Sequence, residues 1–230
     1  MAGATLIVGG TRGLGRCLAE RFAGAHRDVV ITGRDRARAE AVAREIGAGT
    51  AIALDLTEPE QIATALEPVG IVDHVVLAAV ERDTNSVREY DIRRAARLAT
   101  LKVVGYTEVL HCLHPRMHED TAVLLFGGLA KDRPYPGSTT VTSVNGAVTA
   151  MVRTLAIELA PVRVNGLHPG IVGDSPAWAD AGEMLERTKE RTPIGRLVTM
   201  DEVTDAALFL LENTAINGVN LAVDGGWLTS

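Results

Sequence analysis

The sequence has few cysteines and no long apolar run. Its two cysteines, Cys17 and Cys112, lie far apart in the chain and both within helical patterns. A disulfide framework or a metal site needs more ligands at closer spacing, so we interpret both as packing residues. No apolar run reaches the roughly 18 residues of a membrane span, and the N-terminus lacks the basic region and apolar core of a signal peptide. We therefore expect a cytoplasmic protein with no membrane partner.

Aromatic residues and positive charge are also scarce. Aromatic residues make up 3% of the chain, and the formal net charge is −6. Nucleic-acid binding needs a basic surface or aromatic side chains on which bases stack, so we expect no nucleic-acid partner. One basic cluster, Arg34, Arg36 and Arg38, lies at the start of a predicted helix and is interpreted mainly as a solvated helix face. Arg34 is the exception, for the reason given below.

The length and composition are typical of one soluble domain. The chain has 230 residues, of which 47% are apolar and 23% are charged, and it contains no low-complexity tract or Pro/Gly/Ser-rich linker. A chain of this length buries about 70% of its unfolded surface in one core. We therefore predict a single domain over residues 1–230.

Seven short apolar runs alternate with longer helical patterns. The runs are 5–8, 29–31, 51–54, 74–79, 122–126, 162–167 and 219–223. This alternation predicts a doubly wound α/β fold, Rossmann-like, in which helices cover both faces of a seven-stranded parallel sheet. Helix starts are predicted at Asp35 and at two capping boxes, Thr57 with Glu60 and Thr199 with Glu202. Ligands of such sheets bind beyond the carboxyl ends of the strands, where the strand order reverses.

Residues 5–15, T-L-I-V-G-G-T-R-G-L-G, combine a strand, a glycine turn and a helix start. The apolar residues Leu14, Leu18 and Phe22 then follow four apart, as on one face of a helix. Unpaired N–H groups and the positive end of the helix dipole favour a pyrophosphate at such a turn, and glycines let the backbone come close to it. We predict cofactor contacts at Gly9, Thr11, Arg12, Gly13, Leu14 and Gly15. The alternative is a strand-to-helix turn without a ligand.

Further motifs follow in order along the chain. They are L-D-L-T at 54–57, A-I-E-L-A-P-V-R-V-N-G-L-H-P-G at 156–170, T-P-I-G-R at 192–196, D-E-V at 201–203 and N-G-V-N-L-A-V-D-G-G at 217–226. Together with the G-x3-G-x-G spacing of the glycine turn, they resemble the short-chain dehydrogenase/reductase family over nearly the whole chain. The resemblance implies a nicotinamide cofactor and a small-molecule substrate. It also implies that Pro169, Gly170 and Val172 contact the nicotinamide end.

The end of the second strand predicts which cofactor is used. Enzymes for NAD usually place an acid there to bond the ribose 2′-hydroxyl, whereas a 2′-phosphate needs cationic donors. This chain has Gly33 and Arg34 there, and Arg12 in the glycine turn is a second cation. The pair favours NADP(H), the alternative being surface arginines without a ligand. We assign Asp55 to the adenine amino group, or alternatively to capping near Thr57, and add Leu56 and Ala78 to the cofactor contacts.

The family's four catalytic positions have all changed. Alignment puts Lys102 at the family's Asn, Gly128 at its Ser, Val141 at its Tyr and Asn145 at its Lys. Val141 has no proton to donate. Lys102 and Asn145 look like an exchange between neighbouring positions, so we assign Lys102 as proton donor or carbonyl-polarising charge. The alternatives for Lys102 are that it points to solvent or fills a helix kink.

Tyr135 is a second candidate for the missing phenol. It lies in the loop 129–139, which follows the fifth strand, within the turn sequence P-Y-P-G. We assign it a catalytic role, with a solvated turn residue as the alternative.

Three functions are compatible with these residues. We favour an NADP(H)-dependent oxidoreductase of a carbonyl, alcohol or enone with an atypical proton donor. The alternatives are a pseudoenzyme that retains the cofactor as a partner subunit, and a non-redox isomerase or cyclase that reuses the pocket. By resemblance, the fourth helix and the small-residue helix 143–160 pair across a two-fold axis, so we expect a homodimer or homotetramer.

Overall fold

Seven parallel strands form one sheet in the computed structural model, which describes residues 3–178 and 181–230. The strands are β1 (Ala4–Val8), β2 (Val29–Gly33), β3 (Thr50–Ala53), β4 (Val72–Leu77), β5 (Met117–Phe126), β6 (Arg163–Pro169) and β7 (Asn220–Val223). Their order is β3-β2-β1-β4-β5-β6-β7, and every neighbouring pair is parallel. The order reverses between β1 and β4, as in other doubly wound sheets. The predicted fold class is therefore confirmed, as is each of the seven strands.

Helices cover both faces of this sheet. They are α1 (Gly13–Gly24), α2 (Arg36–Ile46), α3 (Ile62–Leu66), α4 (Ile92–Ala99), α5 (Tyr106–Leu113), α6 (Thr139–Glu158), α7 (Gly182–Arg191) and α8 (Met200–Glu212). A π-helical turn over Thr100–Gly105 joins α4 and α5. None of the helices in the described part of the chain combines the length and the apolar character needed to cross a bilayer.

Two of the three predicted helix starts are confirmed. Asp35 accepts a hydrogen bond from the Arg38 amide, and Thr199 forms the full capping box with Glu202. The capping box predicted at Thr57 is wrong. The Thr57 amide and hydroxyl both donate to Asp55 Oδ1, at 2.9 and 2.8 Å, and the short helical turn that follows begins at Pro59. The carboxylate two residues earlier is the stronger acceptor, so the Thr57 hydroxyl is used as a donor and does not cap.

Strand β1 shows how the two halves of the core are built. All five of its residues are buried, and their side chains alternate between the two faces of the sheet. Leu6 and Val8 pack on the face covered by α3, α5 and α6, whereas Ile7 packs on the face covered by α1, α2 and α8. Because both faces of the strand are buried, its residues are apolar except for Thr5, whose hydroxyl is hydrogen-bonded with His74 Nδ1 at 3.1 Å.

A buried arginine fixes the end of α8 to the start of β6. Arg163 is 8% exposed, and its guanidinium donates to the main-chain carbonyls of Leu210, Leu211 and Ile216. The last carbonyls of a helix have no partner within the helix and carry the negative end of its dipole, so a cation is favourable there. Removing the guanidinium leaves these carbonyls buried and unpaired.

We expect Arg163→Met to lower the free energy of unfolding by about 2–4 kcal/mol, because the lost charged donor leaves buried acceptors without partners. Arg153→Met on the exposed surface of α6 is the matched control and should change stability by less than about 0.5 kcal/mol. Urea denaturation of both variants measures the difference. Equal stabilities of the two variants would contradict this role of Arg163.

Candidate active site

The predicted site residues gather at the carboxyl edge of the sheet. Loops that leave β1 to β6 at this edge carry the glycine turn, Arg34, Asp55, Ala78, Gly128 and Gly170. In a doubly wound sheet this edge, next to the reversal of strand order, forms the ligand crevice.

The glycine turn between β1 and α1 has the shape of a phosphate cradle. Gly9 has a φ of +88°, and a Cβ there would lie 2.8 Å from the Ala79 backbone. A Cβ on Gly15 would lie 2.3 Å from the Gly9 carbonyl oxygen, so α1 packs directly on the turn. Gly13, in contrast, has a φ of +54° and open space where its Cβ would be. The turn therefore combines close backbone packing at Gly9 and Gly15 with open space beside Gly13 at the start of α1.

The start of α1 also lacks a side-chain cap. Arg12 occupies the N-cap position in an extended conformation, and its side chain makes no capping hydrogen bond. It is exposed and forms no ion pair with any residue of the described ranges. Thr11 and Leu14 are half-buried beside it. Both the amides of the first turn and the Arg12 guanidinium are thus available to an anionic ligand.

Four charged groups form a chain of ion pairs beside this turn. Arg34 pairs with Glu81, and Glu81 also accepts two hydrogen bonds of 2.9 Å from Arg97. Arg97 in turn lies 3.5 Å from Asp55 Oδ2. The Arg34 side chain nevertheless remains 53% exposed, because Arg97 provides the bidentate partner of Glu81.

Asp55 and its neighbours differ in how far they reach the crevice. Burial raises the pKa of Asp55, but the hydrogen bonds from Thr57 and the charge of Arg97 have the larger combined effect, and its pKa is lowered. Its Oδ1 atom is occupied by Thr57. The Leu56 side chain is 3% exposed and belongs to the core, so only its main chain borders the site. The Ala78 amide donates to the Val8 carbonyl, which continues the pairing of β4 with β1.

The loop after β6 forms the other end of the crevice. Pro169 and Gly170 are half-buried, and a Cβ on Gly170 would lie 3.0 Å from Asp224. Val172 is 4% exposed and forms an isolated bridge with Val198. Asp174 accepts a hydrogen bond of 2.8 Å from the Met200 amide, and this contact anchors the loop at the start of α8.

Two of the four changed catalytic positions are neighbours. A Cβ on Gly128 would lie 2.9 Å from Asn145 Nδ2. Asn145 is 7% exposed, and its side-chain amide makes no hydrogen bond with the described residues. A serine at position 128 would therefore require the Asn145 side chain to move. Val141, one turn earlier on α6, is half-buried and contributes only apolar surface.

Lys102 lies in the π-helical turn and points into the protein. It is 2% exposed, and its Nζ donates to the Tyr106 hydroxyl at 2.7 Å and to the Phe126 carbonyl at 2.8 Å. The Tyr106 hydroxyl donates to the Ala79 carbonyl at 2.8 Å. Burial lowers the pKa of Lys102 from 10.5 to about 7 and raises the pKa of Tyr106 well above its ordinary value. The alternative that Lys102 points to solvent is wrong, and its place in the helix distortion agrees with the other alternative.

Tyr135 lies apart from this hydrogen-bonded pair. Its side chain is 53% exposed, and its hydroxyl makes no hydrogen bond within the described residues. Its ring borders a cavity of about 620 Å³ at the carboxyl ends of β5, β6 and β7. Burial is the first cause that raises its pKa. Tyr135 is therefore a phenol directed at open volume, whereas Lys102 is an amine enclosed beneath the site.

Three groups of this region were missed by sequence analysis. Glu81 and Arg97 form the ion pairs that hold Arg34, and neither had a signal, because their partners are distant in the chain. Tyr106 did have a signal. It follows Lys102 by four residues, and residues at that spacing share one face of a helix.

Comparison with known proteins agrees with this architecture. The family model described as Enoyl-(Acyl carrier protein) reductase matches residues 8–228. The 3-oxoacyl-(acyl-carrier-protein) reductase FabG of Aquifex aeolicus (strain VF5) is 28% identical, over 96% of this chain and 96% of its own length. The L-xylulose reductase of Bos taurus is 26% identical, over 98% and 96% respectively.

A solved structure gives the same result. A short-chain dehydrogenase/reductase from Brucella melitensis, described as a glucose/ribitol dehydrogenase, superposes with a TM-score of 0.88 at 26% identity, over 99% of both chains. The family match extends from the end of β1 past the end of β7. This chain therefore belongs to the short-chain dehydrogenase/reductase family of oxidoreductases.

Proposed function

We propose that the protein is an NADP(H)-dependent oxidoreductase that interconverts a small carbonyl or enone compound and its reduced form. The observation that carries the proposal is the glycine turn, where Gly9 and Gly15 allow close backbone packing and Gly13 faces open volume. Gly13 adopts a left-handed φ of +54°, which favours glycine, and the open space beside it leaves room for a pyrophosphate at the start of α1. The relatives named above are reductases, which supports the same reaction class.

The preference for NADP(H) rests on the positive charge at the end of the crevice where the 2′-phosphate of the adenosine ribose would lie. Gly33 cannot carry an acid without displacing Thr11, since a Cβ there would lie 2.6 Å from Thr11 Cγ2. Arg34 and Arg12 are exposed cations on the two loops that border this end. A guanidinium binds a phosphate through paired charged hydrogen bonds, whereas an uncharged ribose hydroxyl gains less from it.

Proton transfer is assigned to Lys102. Bound NADPH supplies the hydride, and the oxygen of the reduced carbonyl then needs a proton or a stabilising positive charge. Lys102 uses two of its three N–H groups on Tyr106 and Phe126, so one donor is left when the amine is protonated. The Phe126 carbonyl ends β5 two residues before Gly128, so this charge lies just beneath the position of the family's serine. The charge is enclosed in a site of low dielectric constant, where its field is strong.

Tyr135 and Asn145 have supporting roles in this proposal. The free Asn145 amide at the family's lysine position is available to the cofactor ribose. The Tyr135 hydroxyl, free on the wall of the open cavity, is available to the substrate. Asp55 Oδ2 and the main chain of Leu56 and Ala78 complete the adenine end, and the loop from Pro169 to Val172 borders the nicotinamide.

We expect NADPH to bind at least about tenfold more tightly than NADH, because one charge-assisted contact contributes about 1.5–3 kcal/mol. Arg34→Ala should remove most of this difference and leave NADH affinity unchanged. Arg36→Ala is the matched control, since Arg36 begins α2 two residues further on and, within the described residues, pairs with Glu40 alone on the surface of that helix. Fluorescence titration of the wild type and both variants with both cofactors gives six dissociation constants. Equal affinity of the wild type for NADPH and NADH would overturn the assignment.

We expect Lys102→Met to lower kcat by about 100- to 1000-fold, the usual effect of removing one preorganised donor, with little change in NADPH affinity. In the wild type, the rate of carbonyl reduction should fall as the pH rises through about 7, where the Lys102 amine loses its proton. The variant should lack this pH dependence. Steady-state kinetics between pH 6 and 9 on ketones, quinones and enones provide the measurement.

A restored catalytic set is the complementary variant. Gly128→Ser, Val141→Tyr and Asn145→Lys together with Lys102→Asn should create or raise carbonyl reduction if the pocket is otherwise intact. The change at position 145 also removes the amide that the introduced serine would otherwise meet. If the wild type reduces none of the panel while NADPH binds, the oxidoreductase assignment fails. The pseudoenzyme or non-redox function then takes its place.

An apolar groove between α5 and α6 supports assembly into a homodimer or homotetramer. It measures about 380 Å³ and is lined by Thr107 of α5 and by Ala147, Ala150, Met151, Thr154, Leu155 and Glu158 of α6. Small side chains on α6 let a second helix come close, and a helix pair repeated across a two-fold axis buries such a face on both copies.

We expect light scattering at micromolar concentration to give the mass of two or four chains. Ala150→Arg should shift the mass toward one chain, because a guanidinium has no partner in an apolar helix contact. Ala41→Arg on the exposed surface of α2 is the matched control and should leave the mass unchanged. A monomeric wild type would contradict the expectation.

A further inference from the structure

The cavity beside Tyr135 has one wall made by a single face of α7. Met184, Arg187, Thr188 and Arg191 line it. They are spaced three, four and seven residues from Met184, so they lie on one face of the helix. The opposite wall is formed by Tyr135 and Trp227. At about 620 Å³ the cavity is in the size range of small-molecule sites.

The side chains of the two arginines on this wall have no partner among the described residues. Neither the Arg187 nor the Arg191 guanidinium forms an ion pair or a hydrogen bond within the ranges 3–178 and 181–230. Away from this wall, Lys189 of the same helix pairs with Glu186 at 3.4 Å. One carboxylate, Glu183, also borders the cavity, so the charge on its α7 wall is +1 from two arginines and one glutamate. Positive charge is therefore concentrated on the side of α7 that faces this open cavity.

The opposite wall is apolar and held in place. The Arg133 guanidinium stacks over the Trp227 ring at 4.3 Å and also donates to the Trp227 carbonyl and to Ser230. These contacts fix one face of the indole. The Tyr135 amide donates to Ser138 Oγ at 3.0 Å, which fixes the turn that carries the phenol. A ligand in this cavity thus meets a rigid aromatic surface on one side and two free guanidinium groups on the other.

From this arrangement we infer that the substrate is an anionic carbonyl compound, with an apolar or aromatic body against Trp227 and Tyr135 and its carboxylate or phosphate bound by Arg187 and Arg191. Guanidinium groups match both anions through paired hydrogen bonds. The inference rests on the proposed oxidoreductase function for the carbonyl, whereas recognition of the anion rests on the cavity alone.

Direct binding tests the inference without any turnover. The probes are 4-oxo-4-phenylbutanoate, its uncharged methyl ester and the corresponding phosphonate. Isothermal titration calorimetry is done on the protein alone and in the presence of NADP+, which cannot reduce the ketone. We expect each anion to bind at least about tenfold more tightly than the ester, since charged hydrogen bonds supply the difference. The ratio of carboxylate to phosphonate affinity identifies which anion the site prefers.

Variants of α7 locate the effect. Arg187→Met with Arg191→Met should weaken binding of the anions by about 10- to 100-fold and leave ester binding unchanged. Lys189→Met removes one positive charge from the same helix outside the cavity and should bind all three probes like the wild type, and each single arginine variant, which also removes one charge, should weaken binding of the anions. Equal affinity for anions and ester, or an equal loss in Lys189→Met, overturns the inference.

Its failure is distinguishable from failure of the proposed function. The protein could reduce neutral ketones, show no preference for anions and be unaffected by the arginine variants. That result would support the proposed oxidoreductase function and overturn the anion site. If the anions bind in an arginine-dependent way but no probe accepts a hydride, the anion site is supported and the proposed oxidoreductase function is overturned.

Discussion

A continuous line of close contacts joins the two halves of the crevice. It begins where α1 packs on Gly9 and where Gly9 packs on Ala79 at the end of β4. The Ala79 carbonyl accepts from Tyr106, and Tyr106 accepts from Lys102, which also bonds the last carbonyl of β5. The glycine turn and the floor under Gly128 are therefore held by one set of interactions. Since the glycines leave no room for side chains, a shift at either end is transmitted to the other.

The fold was predictable from sequence, and the reasons are local. Buried parallel strands are mostly apolar, and a helix start such as Asp35 or Thr199 carries its own hydrogen-bonding signature. The glycine turn was predictable because its pattern of strand, glycines and helix lies within eleven consecutive residues, although the contact that requires Gly9 is made with the distant Ala79. Thr57 was mispredicted because its hydroxyl can either cap a helix or donate to the nearby Asp55 carboxylate. The sequence pattern does not show which of the two hydrogen bonds forms, and the structure has the one to Asp55.

The charged part of the site was not predictable to the same degree. Glu81 meets Arg34 and Arg97 only because the sheet order brings the ends of β2 and β4 to the same edge. The sequence left open whether Lys102 faces water or the interior, and packing decides this, because a buried amine is tolerated only where two acceptors meet it. Which face of α7 lines the cavity likewise depends on the loop after β6. This loop has no regular hydrophobic pattern, so the sequence does not predict how it orients the helix.

The π-helical turn in the long helix has a consequence for how the chain tolerates length changes. The π turn Thr100–Gly105 already holds the extra residue that a helix can accommodate, so one further residue inserted there would turn α5 by about 100° relative to α4. Val109, Leu110 and Leu113 would then leave the core. Gly105 would also lose its place against the Leu56 carbonyl, where a Cβ would lie only 2.5 Å away. The π turn thus keeps the buried faces of α4 and α5 aligned. The number of residues between Lys102 and the core residues of α5 cannot be increased by one without turning α5 out of the core.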